Sequence, residues 1–390
     1  MSKHSTSALT MRDALYEAPG PKMRAKIRVG TAISLVAVAA LIALVLQRFY
    51  VTSQLSVHYW YFFTHLTTWK FLLAGFEGTV KVALTAGAIA LVLGLALMLG
   101  RTSDIKPLQL VCRVLTDFFR GVPSLLFIYF FFLVLPQYKI SLPSFWMLTL
   151  PVALAVLVLQ RFYVTGQLSV HYWYFFTHLT TWKFLLAGFE GTVKVALTAG
   201  AIALVLGLAL MLGRTSDIKP LQLVCRVLTD FFRGVPSLLF IYFFFLVLPQ
   251  YKIALPSFWM LTLPVALAAA GVLAEIFRAG VNAVPRGQVE AAQALGLSKA
   301  KITFKIVLPQ AIRFIIPSLI SQLVVVVKDT TVAYVVSYPD LMQNARVLIT
   351  NYDALVSVYL VIAVIYILIN VAINKAAVYV SHKTGATIIR

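Results

Sequence analysis

An all-α integral membrane protein is the fold class that this sequence predicts, and three observations carry it. The 390-residue chain is 61% apolar and 12% charged, with a mean hydropathy of +0.91. A soluble domain carries about 25% charged residues, so this chain has half the charge that a water-facing surface needs. Several apolar runs reach the ~20 residues required to cross a bilayer core at about 1.5 Å per residue. The basic residues flank those runs: Lys22, Arg24, Lys26 and Arg28 precede the first, and Arg278, Arg286, Lys299, Lys301 and Lys305 occupy a later connection. Spans in lipid are expected to be helices, because a helix satisfies its own backbone polar groups.

The net charge of +20 raises nucleic acid as a partner. The cations instead follow the bias of cytoplasmic loops and do not cluster with stacking aromatics, so membrane lipid is expected and no nucleic acid. Cys112 and Cys225 are one position in two copies of a segment, which implies no disulfide framework. His58 and His65, with copies His171 and His178, have no further ligand nearby in sequence and read as interfacial residues, with no metal site. Residues 1–28 form a basic tail, expected in the cytoplasm. Residues 29–46 are the first transmembrane helix; a secretory signal is the alternative, but no small-residue cleavage site follows the run.

The chain contains a copy of itself. Residues 44–155 recur as 157–268, offset by 113, and of 112 aligned positions only Ser53/Gly166 and Ser141/Ala254 differ. Repeats in transporter folds are usually weak symmetry, so a copy this faithful reads as a recent tandem duplication or an assembly error. Without it 277 residues remain, with a net charge of +15. That shorter chain makes six spans, at about 29–46, 192–213, 236–248, 258–277, 311–327 and 355–376, with both termini in the cytoplasm. An aromatic segment with Tyr59, Trp60, Tyr61, Phe62, Phe63 and Trp69 is expected at the membrane surface. The first copy adds apolar runs at 79–100, 122–135 and a hybrid at 145–159 around Pro151. Three extra crossings would invert everything downstream. The hybrid run is therefore expected not to cross, or the first copy is not a native part of a working protein; the topology of 44–156 stays open. The second copy, 157–268, joins residues 269–390 in the transmembrane core.

Residues 278–311 lie between two spans yet carry alanines and leucines where a loop should be polar. An alanine-rich helix (Ala291, Ala292, Ala294) offers a smooth surface to a groove, and Gly296 can take the positive φ that ends one helix and angles the next. By pattern alone the stretch is either a helical hairpin packed on its own protein or a docking element. In type and spacing, Glu290, Ala291, Ala292, Gly296, Ile306, Leu308 and Pro309 resemble the coupling loop of ABC importer permeases. The run Phe232-Arg233-Gly234-Val235-Pro236-Ser237-Leu238-Leu239 is similar to a signature of the polar amino-acid (histidine/glutamine/glutamate) permeases within that family. So are Ala274–Gly280, Arg286-Gly287-Gln288 and Lys328-Asp329-Thr330-Thr331. The opening Tyr16–Pro21 and the long first hairpin look most like actinobacterial glutamate-uptake permeases.

The resemblance implies a type I importer helical bundle of six ordinary spans plus the duplicated segment, in a bacterial inner membrane. It gives Glu290 a polar contact to a cytoplasmic ATPase and makes the loop the mechanical link, with Lys299, Lys301 and Lys305 near the membrane surface and Pro309 setting the re-entry. Arg233, Gly234 and Pro236 become an inner helix elbow. Lys328, Asp329 and Thr330 fall at the outer mouth, where the family's gates and binding-protein contacts lie. The implied partners are an ATPase dimer, a second permease subunit (identical or sister) and an extracytoplasmic amino-acid binding protein.

No Gly-x-x-x-x-Gly-Lys-Ser/Thr loop occurs, so ATP and Mg²⁺ belong to the partner ATPase and this chain is expected to bind no cofactor and catalyse nothing. Lys194 (copy Lys81), one turn into a span, is either a counter-charge for an anionic substrate or a snorkelling interfacial lysine. Glu275 and Arg278 read as a helix-surface pair. An intramembrane enzyme would need clustered catalytic groups, and an ion-coupled amino-acid carrier should place acids mid-span. The acids here sit at span ends and in loops. An inactive duplication product of a permease gene is the remaining alternative.

Overall fold

The computed structural model describes residues 46–53, 56–129 and 169–383, with the single helical positions Val29, Ala32, Val36, Ala39, Ala40 and Ala43. The 1–28 tail, most of the first span 29–46, the hybrid run 145–159 and residues 130–135 lie outside the described residues. Those described are helical or turn, with no strand among them. In order the helices are α1 (Leu66–Arg101), α2 (Lys106–Gly121), α3 (Ser124–Tyr129), α4 (Leu179–Arg214), α5 (Lys219–Gly234), α6 (Ser237–Tyr242), α7 (Ser257–Ala283), α8 (Arg286–Ala294), α9 (Leu308–Asp329), α10 (Leu341–Tyr352) and α11 (Leu355–Lys383). Short turns of helix precede α1 and α4, a π segment (Ile302–Val307) leads into α9, and a 3₁₀ segment (Thr330–Val336) leaves it. Among the described residues five stretches are long and apolar enough to span a membrane: Leu66–Arg101, Leu179–Arg214, Ser257–Ala283, Lys299–Val336 and Leu355–Tyr379. A sixth is the pair Lys219–Gly234 and Ser237–Tyr251, bent by 98°.

Both α1 and α4 begin 13 residues before the apolar runs at 79–100 and 192–213, and each is 36 residues long. That is about 54 Å of helix against a hydrocarbon core of about 30 Å. The extra turns mix Leu66, Phe71, Leu72, Leu73 and Phe76 with polar residues, and Lys81 Nζ lies 2.5 Å from Glu77 at i,i+4 spacing. Each start is pinned by the aromatic segment. Thr68 Oγ1 donates to the Phe62 carbonyl (2.6 Å) and Trp69 Nε1 to that of Phe63 (2.7 Å). The second copy repeats this with Thr181 to Phe175 (2.7 Å) and Trp182 to Phe176 (2.7 Å). Identical local sequence gives the same pinning bonds, although Val57–Trp60 is α-helical and Val170–Tyr172 a 3₁₀ turn.

Tertiary packing separates the copies. The most apolar stretch of α1 has none of its residues buried, whereas the same stretch of α4 is 39% buried. The chain divides into two units, one of residues 1–48, 193–330 and 373–390, the other of 49–192 and 331–372. In the first, α7 is central, with 61% of its spanning stretch buried. Its alanines 266, 269, 270 and 274 face inward. A Cβ on Gly207 of α4 would lie 2.8 Å from Leu273 Cβ, and one on Gly280 would lie 3.0 Å from the Ala311 carbonyl of α9. Small residues let backbones approach, which is how helices gain packing where lipid competes for apolar contact. Gly94, the first-copy equivalent of Gly207, faces open space.

In the second unit, the start of α4 packs on the turn before α10. A Cβ on Gly191 would lie 2.3 Å from the Pro339 carbonyl oxygen, and one on Gly188 would lie 2.8 Å from that of Asp340. Asn344 Nδ2 donates to the Phe184 carbonyl at 2.8 Å. The aromatic segment of this copy is not simply a surface feature: Phe175 is fully buried and stacks on Tyr352, ring centroids 4.3 Å apart. Gly75 and Gly78, equivalent to Gly188 and Gly191, have nothing within 4 Å. Among its described residues the first copy also packs on α11, where Asn370 Nδ2 donates to the Gly121 carbonyl and Ile367 lies against Gly121.

Candidate functional site

Pro285 opens α8, and a Schellman turn closes it. The Leu297 amide donates to the Ala292 carbonyl at 3.1 Å and the Gly296 amide to that of Gln293 at 2.8 Å. Gly296 holds φ +69°, the left-handed conformation that a side chain resists. Val289 and Ala292 are buried and fix the helix on its own protein, while Glu290, Ala291 and Ala294 are exposed and Leu295 is 79% exposed. A Cβ on Gly296 would meet nothing. The outer face is therefore a low, apolar protrusion beside one carboxylate.

Ser298 caps the next helix, which begins at Lys299–Lys301 and passes through the π segment into α9. Ile302, Val307 and Leu308 are buried; Ile306 is half-buried and Pro309 exposed. Pro309, expected to set the re-entry, lies where the chain runs on as helix. It sits in the first turn of α9, continuous with the preceding π segment. A proline lacks the N–H for an i−4 bond, a loss that costs least in the first turn of a helix.

Two groups of ion pairs, three pairs in all, act as tethers here. Lys299 Nζ lies 3.2 Å from Asp217 Oδ2 in the turn after α4. Glu275 on α7 takes Arg278 Nε at 2.7 Å through one oxygen and Arg214 through the other. Gln222 Nε2 then donates to the Arg214 carbonyl at 3.1 Å, holding the turn. The expected Glu275–Arg278 helix pair is thus half of a three-residue cluster. The first-copy equivalents, Arg101 and Asp104, are exposed and form no ion pair among the described residues. Arg214, Asp217 and Lys299 were not singled out by sequence as a tether; the Arg-Thr-Ser-Asp turn reads only as polar.

The structure puts Arg233, Gly234 and Pro236 at the 98° break between α5 and α6. Arg233 pairs with Asp230 at 3.3 Å, and its backbone nitrogen lies 2.6 Å from where a Gly271 Cβ would sit. Lys328 and Asp329 end α9, with Asp329 in hydrogen-bonding reach of Ser237. Thr330 is fully buried. Lys194 lies on the exposed side of α4, distant in sequence from the elbow. Asp340 was missed altogether. It caps α10, accepts the Gln343 amide at 2.7 Å and is fully buried. Burial pushes its carboxyl up to about 7, against the pull of the Gln343 and Met342 amides.

Residues 203–385 match the family of binding-protein-dependent transport system inner membrane components. A glutamate transport system permease protein of Corynebacterium glutamicum is 35% identical over 229 residues, 57% of this chain and 82% of that protein. The chain belongs to this family. A probable glutamine permease of Bacillus subtilis is 32% identical over 50% of this chain and 90% of its own length. A solved structure of an amino acid ABC transporter is 28% identical, with a TM-score of 0.51 over 54% of this chain and 98% of that one. The protein is a membrane permease subunit of an importer, not an enzyme. The family match begins inside α4, in the second copy, and takes in the elbow and both of its tethers.

Proposed function

We propose that this chain is the permease of an ATP-driven importer for polar amino acids, glutamate first, and that α8 and Gly296 receive the motion of a cytoplasmic ATPase. The exposed Ala291-Ala294-Leu295 face beside Glu290 carries the coupling reading, because an apolar protrusion anchored by Val289 and Ala292 suits a socket on a partner. The glutamate specificity rests on likeness to a glutamate permease. ATP and Mg²⁺ would be held by the ATPase pair. A second permease, identical or sister, would supply the other coupling helix, and an extracytoplasmic binding protein would deliver the amino acid. Closure of the ATPases would push both elbows and move the bundle between inward and outward access. The elbow, Arg233, Gly234 and Pro236 would then face the cytoplasm, and the 337–353 connection the outside.

The second copy supplies the working helices in this reading, since α4 makes the contacts that α1 lacks. Deleting residues 44–156 should leave uptake intact. The coupling reading is tested by placing Ala291→Trp or Ala294→Arg, on exposed positions that do not disturb packing, in the complex with its ATPase. Glutamate uptake in proteoliposomes and ATPase retention should both fall. Full uptake in either variant would reject the coupling role, and no glutamate uptake by wild type would reject the substrate.

A further inference from the structure

A concavity of about 450 Å³ lies between the Tyr334–Ser337 turn and α10, lined by Tyr334, Ser337, Gln343, Arg346, Thr350 and Asn351. Its size falls in the range of small-ligand sites, about 300–1,000 Å³. We propose that it takes a carboxylate of the incoming amino acid, with Arg346 as the anchor. This rests on the importer reading above and adds the outer receiving site to it.

Arg346 lies 4.7 Å over the ring of Tyr334. That contact holds the guanidinium beside the ring, and Tyr359 lies within electrostatic range of it as well. A guanidinium N–H fork matches the two oxygens of a carboxylate. No carboxylate among the described residues pairs with Arg346. The nearest acid in sequence, Asp340, is buried and occupied as the cap of α10. Around the fork, the amides of Gln343 and Asn351 and the hydroxyl of Ser337 bring both donors and acceptors, as an amino acid with an ammonium and carboxylates requires. Thr350 donates its own hydroxyl to the Arg346 carbonyl at 3.0 Å, leaving oxygen lone pairs for a ligand. Ser337 holds φ +52°, strain that a non-glycine residue accepts at sites where position matters. Arg346 is exposed, so water competes for the fork. Binding is weak and quickly reversed, which suits hand-off from a binding protein.

The test measures equilibrium binding of labelled glutamate to the detergent-solubilised permease–ATPase complex without binding protein. In parallel it measures the affinity of that complex for glutamate-free binding protein. Arg346→Gln should weaken glutamate binding by about tenfold or more and Arg346→Lys by less, with binding-protein affinity unchanged and the thermal midpoint retained. Unchanged glutamate binding in Arg346→Gln overturns the proposal. Lost binding-protein affinity with intact glutamate binding assigns the fork to a protein-borne carboxylate and overturns it too. If wild type binds glutamine or another polar amino acid instead, the glutamate specificity fails alone. The same comparison with that amino acid, which carries an α-carboxylate, then decides Arg346. A wild-type complex that binds none of them overturns the site.

Discussion

The amide of Leu341 donates to the hydroxyl of Thr192 over 3.1 Å, joining the start of α4 to the first turn of α10. Thr192 also donates back to the Gly188 carbonyl at 3.2 Å, and its first-copy equivalent Thr79 makes that internal bond to Gly75 at 2.9 Å. One hydroxyl serves its helix alone, while the other also satisfies an orphan amide at a helix N-terminus. The same residue in the same local sequence is thus structural in one copy and spare in the other.

Gly191→Val and Gly78→Val should therefore differ sharply. A Cβ on Gly191 meets the Pro339 carbonyl at 2.3 Å, a backbone atom that must move, whereas Gly78 faces nothing. Overpacking of this kind costs about 1–3 kcal/mol or more, against about ±0.5 for a surface change. Thermal unfolding in detergent should show a lowered midpoint for Gly191→Val alone. Equal midpoints would mean that either copy can occupy the position beside α10.

The ion pairs give a second contrast. Arg214 and Glu275 expose 19% and 17% of their side chains, so Glu275→Gln leaves two guanidinium groups facing a neutral amide in a poorly hydrated place. A loss of about 2 kcal/mol is expected. Lys299→Gln removes a pair exposed at 38% and 30% and should cost less than about 1 kcal/mol. Arg101→Gln, in the first copy, should leave the midpoint where it was.

Much of this was legible in sequence, for reasons that also mark the limit. The Gly296 elbow, the break at Pro236 and the span positions follow from local chemistry: a glycine for a positive φ, a proline that cannot continue a helix, and runs of apolar residues. The early starts of α1 and α4 escape an apolar window because Thr67, Thr68, Lys70 and Glu77 interrupt the apolar residues before 79, although all of them are helical. Which copy packs could not be read, since identical residues send identical signals and the choice lies in residues 257–352. Asp340 was readable and overlooked: Asp-x-x-Gln from 340 to 343 is a capping pattern.

Asp340 makes stability depend on pH. Its carboxyl is raised to about 7 in the folded protein from 3.8, chiefly by burial. Between those values the folded state holds a proton that the unfolded state has released, so stability falls as pH rises through this window and levels off above about 7. The melting midpoint should drop from about pH 5 to about pH 8. Asp340→Asn keeps an oxygen for the Gln343 amide while removing the charge, and should flatten that part of the profile. An unchanged slope in the variant would place the titration elsewhere.

Gly296 separates shape from space. A Cβ there meets nothing, so Gly296→Ala adds no clash, but φ +69° penalises any L side chain by about 1–2 kcal/mol. Relief comes by rotating the residue out of the left-handed region, which breaks the Gly296–Gln293 and Leu297–Ala292 bonds and swings Leu295 away from its place beside α8. The permease itself should lose little midpoint, because Ala294, Leu295 and Gly296 at the tip are exposed. Affinity for the cognate ATPase should fall by about tenfold, with Gly296→Asn closer to wild type since asparagine tolerates that conformation better. Titrating the purified ATPase against each variant in nanodiscs measures this directly. Equal affinity for glycine, asparagine and alanine would show that the angle of the elbow is not what the ATPase reads.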